Sequence, residues 1–327
     1  MRTAALGRQQ GLTLTELVVA MTLGLLVVLV TSALLVSTCA SYLGQGEALQ
    51  LGDGGRYALE IIARSVRQAG FVNWDGGAAP VTTAISDSAD VSGLDASSVS
   101  RNGDGIAFPI ISAGNGVGNG VVNGSDVLAL RYFGAGPGFD GDGSVQNCAG
   151  FGVGAAGTEQ QRGWSIFYVA RDADGEAELR CKYRGEHGWG ADAIVRGVDS
   201  FQVLYGLDTD VPPDGMANHY LNATAIDAID MALPLVGIDA AALARDKNSK
   251  TRWKRVVSIK LALLLHGGVG SRPTATAGQF DLFGPDYSAA AAGDIGVHID
   301  ESALQPALRS RARKLVEITI LLRNPVM

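Results

Sequence analysis

The sequence predicts an α+β fold. One long amino-terminal helix, its first half able to span a membrane and its second half amphipathic, packs on an antiparallel β-sheet head with long Gly-rich loops. Three observations predict it. From Leu17 to Val36 no residue is charged, and the next charge after Glu16 is Glu47; such a run crosses a hydrocarbon core of about 30 Å as a helix. Beyond it Ala58, Leu59, Ile62, Val66 and Ala69 form one stripe, while Arg56, Glu60, Arg64 and Arg67 take the other side, the pattern of a helix with one buried face. The remainder holds short apolar runs of period two between turn residues. A helix followed by consecutive antiparallel strands is one sheet laid on one helix.

Taken in order, Arg2 and Arg8 precede the apolar run and no Lys or Arg follows until Arg56. This asymmetry leaves the amino terminus in the cytoplasm and exports the rest. Gly44, Gly46, Gly52, Gly54 and Gly55 lie between the two halves of the helix. Each costs about 1 kcal/mol against Ala in a helix interior, so a bend or local break is expected there. Glu60 and Arg64 form an i,i+4 pair in the favourable order. Gly70 ends the helix, and a polar, glycine-rich region runs to Gly124, interrupted by a short apolar piece at Ile106–Ile111. Strands are expected at Asp126–Phe133, Trp164–Arg171, Ala177–Tyr183 and Phe201–Tyr205, with Asp172-Ala173-Asp174-Gly175 as a hairpin turn. Val257, Ile259, Leu261, Leu263 and Leu265 alternate with a second set, as do Val316, Ile318, Ile320 and Leu322, so both segments read as half-buried strands.

Composition narrows the function classes. With 26 Lys and Arg against 33 Asp and Glu the formal charge is −7 and the pI about 5.1, which disfavours nucleic acid as a partner because phosphate contacts need a basic footprint. Glycine, 44 of 327 residues against 10 prolines, is about twice its usual share and marks a loop-rich head. His187, His219, His266 and His298 show no HExxH spacing and the GxSxG elbow is absent, so neither a zinc hydrolase nor a serine hydrolase is indicated. GxGxxG occurs at Gly136–Gly141 and Gly152–Gly157, but neither lies between a clear strand and a helix; both read as loops. No catalytic set and no cofactor are expected. Three acidic turns, Asp140–Gly143, Asp172–Gly175 and Asp208-Thr209-Asp210 with Asp214, offer oxygen ligands that Ca²⁺ could use. Turn chemistry explains them equally well, so Asp208, Asp210 and Asp214 remain weak metal candidates. The basic run Lys247, Lys250, Arg252, Lys254, Arg255 reads as a solvated strand entrance, with a docking patch as the alternative.

The start of the chain admits several processing routes. Ser37–Ala40 is a passable cleavage site for an ordinary secretory signal, although the apolar run is too long for one. Val36-Ser37-Thr38-Cys39 is a degraded lipoprotein box, which would make the chain a lipoprotein or anchored periplasmic enzyme acylated at Cys39. Neither explains Glu16 at the entrance of the apolar helix, where a charge is costly without a partner. Gly11-Leu12-Thr13-Leu14-Thr15-Glu16-Leu17 and the apolar run after it resemble the class III signal of type IV prepilins and pseudopilins. The resemblance implies cleavage by prepilin peptidase between Gly11 and Leu12, leaving 327 − 11 = 316 residues, methylation of the new Leu12 amine, and a role for Glu16 in assembly. The Leu12 amine, on the same chain or its neighbour, would neutralise Glu16, and such a pair also sets axial register.

In the head, Gly55–Glu60, Arg64–Gly70, Ser125–Leu128, Gly197–Gly206 with Asp208 and Asp210, and Leu322-Arg323-Asn324 resemble the PilW group of minor pilins, related to the J-type minor pseudopilins of type II secretion. The departures are Gly52, Gly54 and an insertion-like stretch from Ser271 to Pro306. The resemblance implies a type IV pilin-like fold with a leader at 1–11, a transmembrane and filament-core helix at 12–40, an amphipathic half at 41–70 and an extracytoplasmic head at 71–327. It implies a non-enzymatic minor pilin in a complex that primes pilus assembly at or near the tip and serves twitching motility or attachment. Its partners would be the prepilin peptidase, the inner membrane, other minor pilins, the major pilin and a large tip adhesin. The protein would sit in the inner membrane with its head in the periplasm, then on the pilus at the cell surface. A minor pseudopilin of type II secretion is the alternative, with a usually smaller head. In that oxidising compartment Cys148 and Cys181, flanking the Trp164 strand, are expected to form a disulfide, worth about 3.7 kcal/mol in the chain-entropy account; two free buried thiols are the alternative.

Overall fold

One helix, α1 (Leu14–Gln68), runs without interruption through the glycines where a break is expected. The computed structural model describes residues 13–73, 84–111, 120–272 and 277–324; Gly11 and Leu12 lie outside them. By internal contacts the chain divides into Met1–Glu47 and Ala48–Met327. Within the second unit the glycines explain the unbroken helix. A Cβ on Gly55 would stand 3.0 Å from Leu265 and 3.1 Å from Val316, and one on Gly54 would stand 3.3 Å from Val195. Glycine is there to let the helix approach the sheets closely, and the packing gained offsets its helix penalty. Gly55→Ala should therefore lower the unfolding midpoint of the full-length protein in detergent, because about 1–3 kcal/mol of overpacking exceeds the roughly 1 kcal/mol of helix propensity gained. Gly46, with nothing within 4 Å, should show the opposite sign on replacement by Ala.

The head carries β1 (Val91–Leu94), β2 (Ser98–Val99), β3 (Pro109–Ile110), β4 (Val127–Tyr132), β5 (Gly163–Arg171), β6 (Ala177–Gly185), β7 (Gly188–Arg196), β8 (Val198–Leu207), β9 (His219–Leu221), α2 (Ala223–Met231), α3 (Ala240–Lys250), β10 (Val256–His266), β11 (Gln279–Asp281), α4 (Pro285–Ala290), β12 (His298–Asp300), α5 (Pro306–Arg309) and β13 (Arg313–Leu321). The α+β class with antiparallel strands after one long helix is as expected. The single sheet is not: the strands form a five-stranded sheet, β1-β4-β5-β6-β7, and a four-stranded sheet, β13-β10-β8-β9, with ribbons β2-β3 and β11-β12. The switch occurs at Gly197, between β7 and β8, with φ of 77°. Its N–H donates to Ala177 O (2.8 Å) and its carbonyl accepts from His266 N (2.8 Å), one partner in each sheet. A side chain is disfavoured at this backbone angle.

Both sheets and the outer part of α1 close one core. Ala58, Ile62, Val66 and Ala69 are fully buried there with Phe167, Val203 and Leu261, as the helical stripe predicts. Arg56, Glu60 and Arg64 are exposed. Among the described residues Arg56 pairs with Asp53 at 3.7 Å, and the expected Glu60–Arg64 pair is not formed. Asn324 donates to Ala69 O at the helix end (3.2 Å), and Gly70, at φ 69°, follows. Asp126 joins the sheets: its N–H donates to Phe201 O and its carboxyl accepts from Ala96 N and Val203 N.

Strand β10 corrects a second expectation. It is buried along nearly its whole length rather than on one face, because residues 280–304 of the insertion-like stretch fold back over it. Leu282, Phe283, Val297, Ile299 and Leu304 cover Leu204, Ala262 and Leu264 on the side away from the main core. β13, at the sheet edge, is the half-buried strand expected. The short helices α2 and α3 and the edge strand β7 have no counterpart in the sequence reading. Asn222 and Asp239 cap α2 and α3 through their side chains, a signal visible in the sequence.

Candidate functional site

At the amino-terminal end of α1 the residues around Glu16 form a reciprocal cap. Thr13 N and Thr13 Oγ1 donate to Glu16 Oε2 at 2.9 and 2.8 Å, and Glu16 N donates to Thr13 Oγ1 at 3.3 Å. This is the capping box of a Thr followed three residues later by Glu, and Thr13-Leu14-Thr15-Glu16 spells it in the sequence. The carboxylate thus has a local partner, and it is held at the helix end that favours negative charge.

From Leu14 to Cys39 the helix has a mean hydropathy of 2.6 over its most apolar window, and none of that window is buried within the chain. Apolar side chains are exposed around the whole circumference, as Val18, Val19, Val27 and Val28, which point about a quarter-turn apart, show. A helix apolar on every side needs an apolar surround. Four of its hydroxyls are satisfied within the helix: Thr22 donates to Val19 O, Thr31 to Val27 O, Ser32 to Val28 O and Thr38 to Leu34 O, at 2.8–2.9 Å. They therefore do not oppose transfer into hydrocarbon. Cys39 is a free, exposed thiol inside the same helix.

In the head Cys148 and Cys181 are joined, with their Cα atoms 5.8 Å apart. The bond ties the long β4–β5 connection to the middle of β6, and both residues are buried. The two GxGxxG runs lie in that connection, as loops, and they pack on each other: Gly154 N donates to Phe139 O and Ala155 N to Gly136 O, at 2.7 and 2.9 Å. Glycine serves backbone contact here, and neither run opens a helix.

The acidic turns resolve differently. Asp208, Asp210 and Asp214 do converge, with one carboxylate oxygen of each within 4.8 Å of the others. Their oxygens are engaged in the turn: Asp208 accepts from Asp210 N and Gly215 N, Asp214 from Met216 N, and Asp210 from Asn218 Nδ2, at 2.7–3.0 Å. The Gly215 N–H foremost, against the opposing effect of burial, holds the Asp208 carboxyl below its usual range. Asp172 closes the β5–β6 hairpin by accepting from Asp174 N and Glu176 N, both at 2.9 Å. In the basic run, Lys250 pairs with Asp246 (2.8 Å), Lys254 donates to Ile85 O and Arg255 to Asp210 O, so several of its charges are spent within the fold.

A buried ion-pair network lies where the 271–306 stretch meets the two sheets. His266 stands between Asp199 and Glu176. Arg313, whose side chain is 0% exposed, joins Asp199 (2.5 Å) to Glu301 (2.6 Å). Arg272 pairs with Glu301 and Arg311 with Glu176. Burial raises Asp199, Glu176 and Glu301, but the hydrogen bonds and charges of His266 and the arginines outweigh it and leave all three carboxyls lowered. Asp126 is the opposite case: burial, with Asp95 beside it, pushes its carboxyl well above the usual range despite two backbone donors.

The chain is similar to a solved structure described as the type IV-like pilin TTHA1219 from Thermus thermophilus, at 11% identity and a TM-score of 0.34, covering 85% of this chain and 100% of that one. No curated protein matches the chain. The family described as Type IV Pilus-assembly protein W matches residues 166–324, from within β5, through Gly197, the ion-pair network and β13, to Asn324 at the end of α1. From 166 to 324 this chain thus resembles the PilW family of type IV pilus-assembly proteins.

Proposed function

We propose that the chain is a minor pilin, non-enzymatic, that enters the inner membrane with its head in the periplasm, is cut after Gly11 by prepilin peptidase, and joins the priming complex at the pilus tip. The observation that carries this reading is the combination, on one chain, of a PilW head with a capped helix whose apolar side chains find no cover within the chain from Leu14 to Cys39. Packing that helix against those of other minor pilins and the major pilin buries it a second time, after the membrane. The Leu12 amine, generated one residue before the Thr13 cap, supplies the cation for Glu16 on its own chain or a neighbouring one.

Intact mass of the native protein tests the reading. It should show 316 residues (327 − 11) beginning with N-methyl-Leu12. Retention of the first eleven residues, or a diacylglyceryl group on Cys39, would overturn it. A deletion strain should lose surface pili and keep exoprotein release; loss of exoprotein release with intact pili would assign the chain to type II secretion instead.

A further inference from the structure

The face of the five-stranded sheet that carries Ile166, Tyr168 and Ala191, opposite the disulfide side, bears a row of alternating aromatic and cationic side chains. Arg131 on β4 pairs in register with Trp164 on β5, and Arg184 on β6 pairs with Trp189 on β7. Trp164 and Trp189 meet edge to face at 5.8 Å. Arg131 lies 4.6 Å from the Trp164 ring and Lys182 lies 4.9 Å from the Trp189 ring. Lys182, fully buried, donates to Gly105 O at 2.7 Å and so fixes the loop that brings Asp104 to the rim. Trp164 and Trp189 remain half-exposed and line a cavity of about 460 Å³ with Asp104, Gln160, Arg184 and Glu186. Trp164 and Arg184 also border an adjoining cavity of about 290 Å³, which Phe139, Gln161 and Arg162 help line. Neither indole N–H has a hydrogen-bond partner among the described residues.

We infer that this groove binds a neutral oligosaccharide. A pyranose ring presents a C–H face that packs on an indole, while its hydroxyls project to the sides as donors and acceptors. The groove supplies both requirements: two large apolar faces with polar handles, and a rim of planar groups of each sign, the carboxylates of Asp104 and Glu186, the amide of Gln160 and the guanidinium of Arg184. The carboxylates of Asp104 and Glu186 at the rim and the net charge of −7 oppose a polyanion. Two adjoining cavities sharing Trp164 and Arg184 suit a chain of sugars. The inference is independent of pilus assembly, since binding is measured on the purified protein.

The test uses the full-length protein in detergent, probed with neutral oligosaccharides of glucose, galactose and N-acetylhexosamines on an array and by indole fluorescence titration. Proline-rich peptides serve as the competing class. Saturable binding of at least one oligosaccharide is expected, weakened about tenfold by Trp189→Ala. Asp104→Ala and Glu186→Ala, at exposed positions that the fold does not need, should weaken it several-fold with circular dichroism unchanged. Absence of saturable oligosaccharide binding, binding unaltered by all three substitutions, or saturable binding of the peptides alone would overturn the assignment.

Discussion

Glu16→Gln should leave the protein processed and methylated yet absent from sheared pili, at the same background level as Glu16→Ala. The two substitutions separate the cap that the geometry gives this side chain from the assembly role proposed for it. As a cap, Glu16 accepts from Thr13 N and Thr13 Oγ1, and an amide oxygen accepts the same bonds, so Gln preserves most of a contribution of about 1 kcal/mol. In the proposed pair with the Leu12 amine it would be the anion that sets the axial offset between helices, and Gln abolishes that charge. An unpaired ammonium left in an apolar helix bundle costs several kcal/mol per subunit, far more than the cap, so the loss should be close to complete. Quantitative immunoblots of membranes and sheared pili measure it. Normal incorporation of the Gln variant, with Ala defective, would reduce Glu16 to a helix cap and remove the register role.

Arg313→Ala should destabilise the head by about 3–5 kcal/mol, the usual cost of removing one partner of a buried pair. Arg313 is fully buried and touches two carboxylates, Asp199 and Glu301, whose remaining ionic partners among the described residues are His266 and Arg272. Denaturant unfolding of the full-length protein, followed by tryptophan fluorescence, measures the loss; a change under about 1 kcal/mol, the value of an exposed pair, would show that the network is not a structural joint. The same groups set an acid limit. Asp199, Glu176 and Glu301 titrate below their ordinary values in the folded chain. Carboxyls lowered by folding contribute stability above the unfolded values, about 4, and that contribution is lost as pH falls through the lower folded values. Wild-type stability should therefore drop below about pH 4, and Arg313→Ala should flatten that dependence.

Much of this protein is local and so was legible in one dimension. An uncharged run from Leu17 to Val36 is a membrane-length helix whatever surrounds it. The stripe Ala58, Ile62, Val66 and Ala69 names its own buried face, and alternation placed β4, β5, β6, β8, β10 and β13 to within a few residues. The cap of Glu16 is equally local, a Thr-x-x-Glu spelled in the sequence. What depends on approach between distant segments was decided by the tertiary structure. Glycines that count against a helix in isolation become the reason α1 reaches Leu265 and Val316. A strand that looks half-buried is covered on both faces once residues 280–304 fold over it, and one expected sheet becomes two at Gly197. His266, Glu176, Asp199, Glu301 and Arg313 are scattered singly along the chain and become an ion-pair network only after the strands are in register. The physical reason is one of range: periodicity, charge and capping act within a few residues, whereas close packing and buried pairing are properties of surfaces that meet only in the folded chain.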